Sequence, residues 1–145
     1  MIVLTGGPGS GKTSLANGLQ ALGFHCAPES GRIILQREGG MALRAASPEK
    51  YAAATLRMDL RNFNSAVNRS EKTVFDRGLP DTAGYLNLMN CNIPEELHLA
   101  CQTMRYSGPI FSAPPWREIY VQDAERTQDF DTACATHDAV CFAWK

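Results

Sequence analysis

Short apolar runs alternate along the chain with longer segments whose apolar residues recur every three or four positions. Because short runs rich in β-branched and aromatic residues are typical of strands, we predict strands at 2–5, 24–27, 72–76 and 109–113. The longer segments predict six helices. Three have both ends predicted, at 29–37, 82–89 and 94–105, and the other three begin after the first strand, at 48 and at 130. Strands therefore alternate with helices along the whole chain.

Three helices carry patterns of their own. Leu15, Leu19 and Leu22 recur at helical spacing in the first one. The helix that begins at 48 has a start signal, with Ser47 as N-cap and Pro48 in the first turn. It is expected to bury a stripe formed by Leu56, Leu60, Phe63 and Val67. The last helix is expected to place a stripe in the core that is formed by Phe130, Cys134, His137, Cys141 and Trp144.

The alternation predicts an α/β fold of three layers, in which helices cover both faces of a parallel sheet of about four strands. Ligands of such sheets bind beyond the carboxyl ends of the strands. The residues found there are 6–13 after the first strand, Glu29 after the second, Asp76 and Arg77 at the third, and Trp116 after the fourth. We expect these groups to converge on one edge and to form an active site.

Residues 6–13 read G-G-P-G-S-G-K-T and fit G-x-x-x-x-G-K-[ST], the pattern of phosphate-binding loops. The glycines leave room for backbone N–H groups to surround a polyphosphate. Lys12 is expected to reach the outer phosphates, and the hydroxyl of Thr13 is expected to bind Mg²⁺. The helix that starts here also points its positive end at the anion. The loop therefore predicts binding of a nucleoside triphosphate.

The residues predicted to hold the nucleotide are consecutive: Gly6, Gly7, Pro8, Gly9, Ser10, Gly11, Lys12, Thr13 and Ser14. A dinucleotide-binding G-x-G-x-x-G cannot be completed here, because it would need glycine at position 12. A glycine-rich turn with an incidental lysine is the other alternative. The order of strand, glycine loop and helix favours the phosphate loop over both.

Three charged residues near the strand ends are candidates for chemistry. Asp76 is similar to a Walker B acid, which holds Mg²⁺, and the alternative is a surface aspartate. Arg77 is expected to neutralise charge on a transferring phosphoryl group, or else to form a surface ion pair. Glu29 is expected either to accept the proton of a substrate hydroxyl or to cap the next helix. Asp76 and Thr13 are the predicted metal ligands.

The segment 116–131 mixes charged and aromatic residues between the fourth strand and the last helix. Phosphoryl-transfer enzymes need a segment that closes over the phosphates, excludes water and supplies positive charge. Arg117 and Arg126 are the candidates, and a solvated charged loop is the alternative. The predicted catalytic residues are Lys12, Glu29, Asp76, Arg77 and Arg126.

Two further patterns are interpreted as structural. D-T-A-G at 81–84 is spelled like a γ-phosphate sensor of GTPases, but it lies beyond the end of the strand and no N-K-x-D motif is present, so we predict a helix start. Cys134, His137 and Cys141 share one helical face but are fewer than the four ligands of a structural zinc site. They are assigned to the core.

Composition narrows the class of protein. The chain has 145 residues, of which 44% are hydrophobic, and is expected to form one domain over 1–145. A formal net charge of −1 offers no general attraction for nucleic acid or an anionic membrane, so neither partner is expected. No apolar run approaches the ~20 residues of a membrane span. Five cysteines without a C-x-x-C pair favour reduced thiols in a cytoplasmic protein.

Longer motifs carry a family resemblance. The phosphate loop, P-E-S-G-R at 28–32, F-D-R-G-L-P-D at 75–81 and A-P-P-W-R-E-I-Y-V-Q-D-A-E-R at 113–126 resemble the small AAA-type P-loop ATPase domain family, which includes the ribosylnicotinamide kinase domain of NadR. The resemblance covers essentially the whole chain. It implies metal and phosphate roles for Asp76 and Arg77. It also implies a lid formed by Trp116, Gln122, Asp123 and Arg126.

The resemblance also sets two limits. Extra residues between Trp116 and Val121 depart from the NadR kinase, so its substrate is not carried over. Members of the family usually continue with a fifth parallel strand and a final helix, and the turn after that strand helps to hold adenine. This chain stops at Lys145, so we expect an incomplete sheet edge, a partial base pocket and self-association through that edge.

The sequence therefore favours an ATP- and Mg²⁺-dependent protein that transfers a phosphoryl group to a small, hydroxyl-bearing, nucleoside-like acceptor. Two alternatives stay open: a regulatory module that binds or slowly hydrolyses ATP without an acceptor, and a truncated, inactive relative. The acceptor itself is not predicted, because 39–72 shows only an amphipathic helix.

Overall fold

The part of the chain that the computed structural model describes, residues 1–122 and 128–145, alternates strands with helices. The strands are β1 (Ile2–Thr5), β2 (His25–Ala27), β3 (Thr73–Asp76) and β4 (Ile110–Ser112). The helices are α1 (Lys12–Ala21), α2 (Ser30–Gln36), α3 (Gly40–Ala46), α4 (Pro48–Val67), α5 (Leu79–Leu88), α6 (Glu95–Thr103) and α7 (Phe130–Ala143). A short 3₁₀ turn covers Arg117–Ile119. The predicted α/β class is confirmed.

Within these residues the strands pair in parallel, in the order β2-β3-β1-β4. β1 is central, and its Val3 lies opposite Phe75 of β3 and Ile110 of β4. Since the strands are parallel, their carboxyl ends all meet at the same edge of the sheet. The glycine loop leaves β1 at this edge, Glu29 follows β2 there, and Arg77 follows β3.

Successive residues of β1 face opposite helical layers. Val3 packs with Phe75 and with Ala66 of α4, whereas Leu4 packs with Ala16 of α1. Val3 is 0% exposed and Leu4 is 2% exposed, so both faces of the strand are covered. A strand that is buried on both faces reads as a continuous apolar run, which is the pattern that identified it in the sequence.

A second core cluster joins α4, α5 and α6, and Leu56, Leu79, Leu86 and Leu97 form its centre. α5 also packs against α7 at Gly84, where an added Cβ would lie 2.7 Å from the carbonyl oxygen of Ala139. The start of α4 follows the sequence prediction, because the side chain of Ser47 accepts a hydrogen bond from Lys50 N. No helix of the described residues is long and apolar enough to cross a membrane.

The predicted stripes are wrong at several positions. In α1, Leu15 is 50% exposed and Leu22 is 77% exposed, because the inward face of this helix is formed by Lys12 and Ala16. Val67 is 56% exposed because it is the last residue of α4, one position beyond Ala66, which packs on the sheet.

The last helix is rotated relative to its prediction. Ala133 and Val140 are its buried residues, whereas Phe130, Cys134, His137, Cys141 and Trp144 are half-buried. The difference arises because Gly84 of α5 has no side chain, so α7 approaches closely there and Val140 lies in the contact. The inward face therefore lies one position N-terminal to the predicted one.

Gly39 and Gly40 start α3, a helix that was not predicted from the sequence. Gly39 has a φ of 73° and forms the N-cap of α3. Gly40 is buried, and a Cβ there would collide with the carbonyl of Ile34. The pair therefore acts as a tight connection between two helices.

Candidate functional site

The glycine loop turns from β1 into α1 through positive φ angles at three of its glycines. Gly6, Gly9 and Gly11 have φ values of 129°, 75° and 81°, a region that favours glycine. A Cβ at Gly6 would collide with the carbonyl of Ala113, and one at Gly9 would collide with the ring of Tyr120. The loop therefore needs glycine both for its conformation and for the close approach of its neighbours.

Lys12 is the first residue of α1 and is only 5% exposed. Its ammonium group donates hydrogen bonds to the carbonyl oxygen of Gly7 and to Ser10 Oγ, at 2.5 and 2.9 Å. Burial, together with the nearby Arg77, lowers the pKa of Lys12 to about 8. A bound polyphosphate would favour the charged ammonium, so this site gains electrostatically from an anion.

Thr13 and Asp76 lie together, as the sequence analysis expected of the two metal ligands. Thr13 Oγ1 donates a 3.0 Å hydrogen bond to Asp76 Oδ2. The other carboxylate oxygen, Oδ1, is buried and has no hydrogen-bond partner among the described residues. Burial, with Glu29 nearby, raises the pKa of Asp76. An unpaired carboxylate oxygen beside a hydroxyl is the oxygen donor set that suits Mg²⁺.

Arg77 occupies the left-handed backbone region, with a φ of 75°, which is unusual for a residue other than glycine. Its Nε donates to Glu29 Oε1 at 3.1 Å, and one terminal nitrogen donates to the carbonyl oxygen of Gly6 at 3.0 Å. The same nitrogen lies 3.3 Å from Asp81 Oδ1. Desolvation opposes the charge, but the surrounding carboxylates outweigh it and raise the pKa of Arg77.

Arg77 therefore ties the ends of β2 and β3 to the phosphate loop. This is neither a surface ion pair nor a solvated side chain, since its side chain is only 22% exposed. Its predicted contact with a transferring phosphoryl group stays a prediction.

Glu29 occupies the N-cap position of α2, but its side chain makes no capping hydrogen bond. The expectation that Glu29 caps the next helix therefore agrees with its position at the N-cap, although no side-chain hydrogen bond forms the cap. The carboxylate is instead bound by Arg77, which competes for it more strongly than the helix N–H groups. Its expected role as a proton acceptor stays a prediction.

Asp81 is a buried centre of hydrogen bonds that the sequence analysis did not single out as functional. Its Oδ1 accepts from Thr5 Oγ1 at 2.7 Å, and its Oδ2 accepts from Gly78 N at 3.0 Å and from Trp144 Nε1 at 2.9 Å. It is the third residue of α5, and its carboxylate caps the backbone N–H of Gly78, so the predicted helix start is confirmed, three residues early. The capping pattern was visible in the sequence, but the partners 76 and 63 residues away were not.

The segment between β4 and α7 covers the loop with Ile119 and Tyr120, neither of which was predicted as a site residue. The ring of Tyr120 lies against Gly9, and its hydroxyl donates to the carbonyl oxygen of Gln128 at 2.6 Å. Ile119 lies beside Gly11. The interleaved aromatic residues of this segment were the signal that could have identified Tyr120.

Arg117, one of the two arginines predicted for a lid, does not line the cavity at the phosphate loop. Arg117 is 72% exposed, stacks over the ring of Phe130 at 4.2 Å and lies 3.8 Å from Asp131. Trp116 is 56% exposed. The predicted lid residues Asp123 and Arg126 lie outside the described residues. Gln122 donates to the carbonyl oxygen of Gln128 at 2.9 Å and thus helps to connect the segment to the start of α7.

A cavity of about 550 Å³ extends from the phosphate loop into the space between α4 and α5. Lys12 and Thr13 line one end, and Tyr51, Asp59 and Tyr85 line the other. The site is therefore one continuous space with a phosphate-binding half and a second half that is both polar and aromatic.

The second half of the cavity, between α4 and α5, is lined by residues that were not predicted as site residues. Asp59 is half-buried and accepts a hydrogen bond from Thr82 Oγ1 at 3.4 Å, and burial raises its pKa to about 7. The rings of Tyr51 and Tyr85 meet edge to face at 5.3 Å, with the guanidinium of Arg44 6.0 and 5.8 Å from their centroids. The available signal was the four-residue spacing of Tyr51, Thr55 and Asp59, a second face of α4 beside the apolar stripe.

A family model described as an AAA domain matches residues 1–145. Neither the curated proteins nor the solved structures gave a significant match. The matched family, the glycine loop and the parallel sheet agree on a nucleotide-binding P-loop domain. The closer relationship to the NadR kinase domain stays a prediction.

Proposed function

Because the chain belongs to this AAA domain family, we propose that it binds ATP with Mg²⁺ and transfers the γ-phosphoryl group to a small, hydroxyl-bearing, nucleoside-like acceptor. One observation carries the proposal: a single cavity joins the phosphate loop to a chamber with polar and aromatic walls. A domain that only bound ATP would need the first half of this cavity and not the second.

ATP fits the loop for reasons of charge and geometry. The N-terminus of α1 and the backbone N–H groups of the loop present positive charge to an anion. Lys12 is held in the loop by Gly7 and Ser10 and can exchange these neutral acceptors for phosphate oxygens, which bind an ammonium group more strongly. Arg77 holds the backbone of Gly6 and so fixes the entry to the loop.

Thr13 and Asp76 are the residues that would hold Mg²⁺. Their oxygens already lie within hydrogen-bond distance, and Oδ1 of Asp76 lacks a partner among the described residues. Bound Mg²⁺ supplies charge neutralisation on the phosphate oxygens. Asp76 contributes the negative charge of the site, and Thr13 contributes a neutral oxygen at the start of α1.

The experiment that tests this function measures ADP release by the purified chain with Mg²⁺-ATP, alone and with each member of a panel of nucleosides. Release that depends on a nucleoside supports a kinase. Release without any acceptor identifies an ATPase module, and no release in either condition favours the inactive relative. Either of the last two results removes the proposed transfer.

Lys12→Ala is the variant that tests the phosphate loop itself. We expect ATP affinity, measured by calorimetry, to fall at least about tenfold, since one charge-assisted contact is worth more than about 1.4 kcal/mol. Lys50→Ala removes an exposed lysine of α4 and serves as the matched control. Equal affinities in Lys12→Ala and the wild type would contradict the assignment of the loop.

A further inference from the structure

The second half of the cavity contains a carboxylate whose position suits proton transfer. We propose that the acceptor lies along α4 between Tyr51 and Asp59, and that Asp59 takes up the proton of its reacting hydroxyl. This inference rests on the proposed phosphoryl transfer. It adds the place of the acceptor and the identity of the base.

The first support is the arrangement of side chains on α4. Tyr51, Thr55 and Asp59 are spaced by four residues, lie on one face of the helix and line the cavity. At 1.5 Å per residue, Tyr51 and Asp59 are about 12 Å apart along the helix axis. This length accommodates one nucleoside-sized molecule, with its hydroxyl at the Asp59 end.

The second support is the contact path from Asp59 to the phosphate loop. Asp59 accepts a hydrogen bond from Thr82, which directly follows Asp81 in α5. Asp81 contacts Arg77, and Arg77 binds the carbonyl oxygen of Gly6. Asp59 is therefore connected to the phosphate loop through Thr82, Asp81 and Arg77.

The third support comes from a comparison of the two carboxylates that could act as the base. Glu29 is bound by Arg77 at 3.1 Å, so its carboxylate already has a charged partner within the protein. Asp59 is bound by neutral hydroxyl groups, through hydrogen bonds from Ser30 and from Thr82, the latter at 3.4 Å. Glu29 then serves to hold Arg77, and Asp59 is the carboxylate available to a substrate.

The electrostatic surroundings of Asp59 agree with this role. Burial raises its pKa to about 7, and the negative charge of Asp81 acts in the same direction. Hydrogen bonds from Ser30 and Thr82 and the positive charge of Arg77 act against it. A base whose pKa lies near the working pH is the most effective one for proton abstraction.

The step balances without any reactant other than ATP and the acceptor. The acceptor's hydroxyl oxygen forms a bond to the γ-phosphorus, and the bond between that phosphorus and the bridging oxygen of ADP breaks. The bond's electron pair leaves with ADP, and the hydroxyl proton moves to the carboxylate of Asp59. The products are the phosphorylated acceptor, ADP and a protonated Asp59, which then returns its proton to water.

The far end of the chamber suits a ring that carries polar atoms. Tyr51 and Tyr85 form the edge-to-face pair there, and the hydroxyl oxygen of Tyr85 is buried without a hydrogen-bond partner among the described residues. A buried hydroxyl without a partner is costly, and an acceptor with a polar ring atom would satisfy it. A nucleoside offers such a ring together with a free hydroxyl.

The test measures nucleoside-dependent ADP release by the full chain as a function of pH. In the wild type, kcat should fall on the acidic side of about pH 7. Asp59→Asn should lower kcat by about 100-fold or more and should abolish this acidic limb, with ATP affinity unchanged. Glu29→Gln should keep the acidic limb. Asp138→Asn, an exposed aspartate of α7, is the control and should behave as the wild type.

A second measurement does not depend on turnover. Carboxyl-carbon NMR of the wild type should show a signal that titrates near pH 7. The absence of this signal in Asp59→Asn assigns it to Asp59. A titration near pH 4 would overturn the inference even if the protein is a kinase, as would an Asp59→Asn variant that keeps its kcat. If no nucleoside stimulates the wild type, the proposed function fails first and the role of Asp59 fails with it.

Discussion

The indole Nε1 of Trp144 donates a 2.9 Å hydrogen bond to Oδ2 of Asp81, the carboxylate that also lies 3.3 Å from Arg77. The end of the chain's last helix is thereby connected to the residue that holds the phosphate loop. Trp144 also packs against Tyr106, with ring centroids 5.4 Å apart. Trp144 therefore makes both a polar and an aromatic contact, and the two together fix the position of the C-terminal end of α7.

This relationship predicts the effect of Trp144→Phe. The variant keeps a ring but removes the donor, and a lost hydrogen bond to a charged group should lower the free energy of unfolding by about 1.5 to 3 kcal/mol. Urea denaturation measures the change. Trp116→Phe is the matched control, because Trp116 is 56% exposed and its replacement should change stability by less than about 0.5 kcal/mol. Equal effects in the two variants would mean that the hydrogen bond is not formed in solution.

Asp76→Asn tests the metal ligands. The amide keeps an oxygen near Thr13 but removes the negative charge that would hold Mg²⁺. ATP affinity measured by calorimetry should therefore fall strongly in the presence of Mg²⁺, on the order of tenfold, and should change little in EDTA. If affinity falls equally with and without Mg²⁺, Asp76 supports the structure of the loop and does not bind the metal.

The sequence was sufficient to predict the framework of the site. The strands could be recognised because both faces of the sheet are buried, which removes polar residues from positions such as Val3 and Leu4. Thr13 and Asp76 could be paired in advance, because parallel topology brings the carboxyl ends of β1 and β3 together. In both cases a local pattern and a general rule of topology were enough.

The rest of the site depends on contacts between distant residues. Asp81 is one of many aspartates near a helix start, and only folding brings Thr5 and Trp144 to it. Likewise the spacing of Leu15 and Leu22 is compatible with a buried stripe, but the side of α1 that packs on the sheet is the one that carries the small residue Ala16. Local periodicity specifies that a helix has an apolar face and does not specify which part of that face is covered.

The raised pKa of Asp59 predicts that the free energy of unfolding depends on pH, and Asp59→Asn tests this. The folded-state pKa of about 7 lies above the value of about 3.9 in an unfolded chain, so the folded state holds the proton between these values. The contribution of this carboxyl to stability is fully present below pH 4 and is lost as the pH rises through 7. Asp81 of α5 and Arg77, which directly follows β3, are the charged groups that act on it.

The asparagine variant cannot lose this contribution. It should therefore become more stable relative to the wild type as the pH rises from 4 to 8, by roughly 2 to 4 kcal/mol. Urea denaturation at pH 4, 6 and 8 measures the difference, with Asp138→Asn as the surface control. A difference that does not vary with pH would show that Asp59 is ionised throughout.

The last prediction concerns the edge of the sheet. Within the described residues β4 pairs only with β1, and its Ile110 and Phe111 are 43% and 55% exposed. An open strand edge with exposed apolar side chains favours pairing with another chain, and lysine at such an edge opposes it. We expect the wild type to elute from size exclusion as a species larger than the monomer, and Phe111→Lys to elute as a monomer. Leu22→Lys, which removes an even more exposed apolar residue at the end of α1, should leave the association unchanged. A monomeric wild type at concentrations up to about 100 μM, well above the micromolar range of a specific contact, would contradict the expected self-association of this edge.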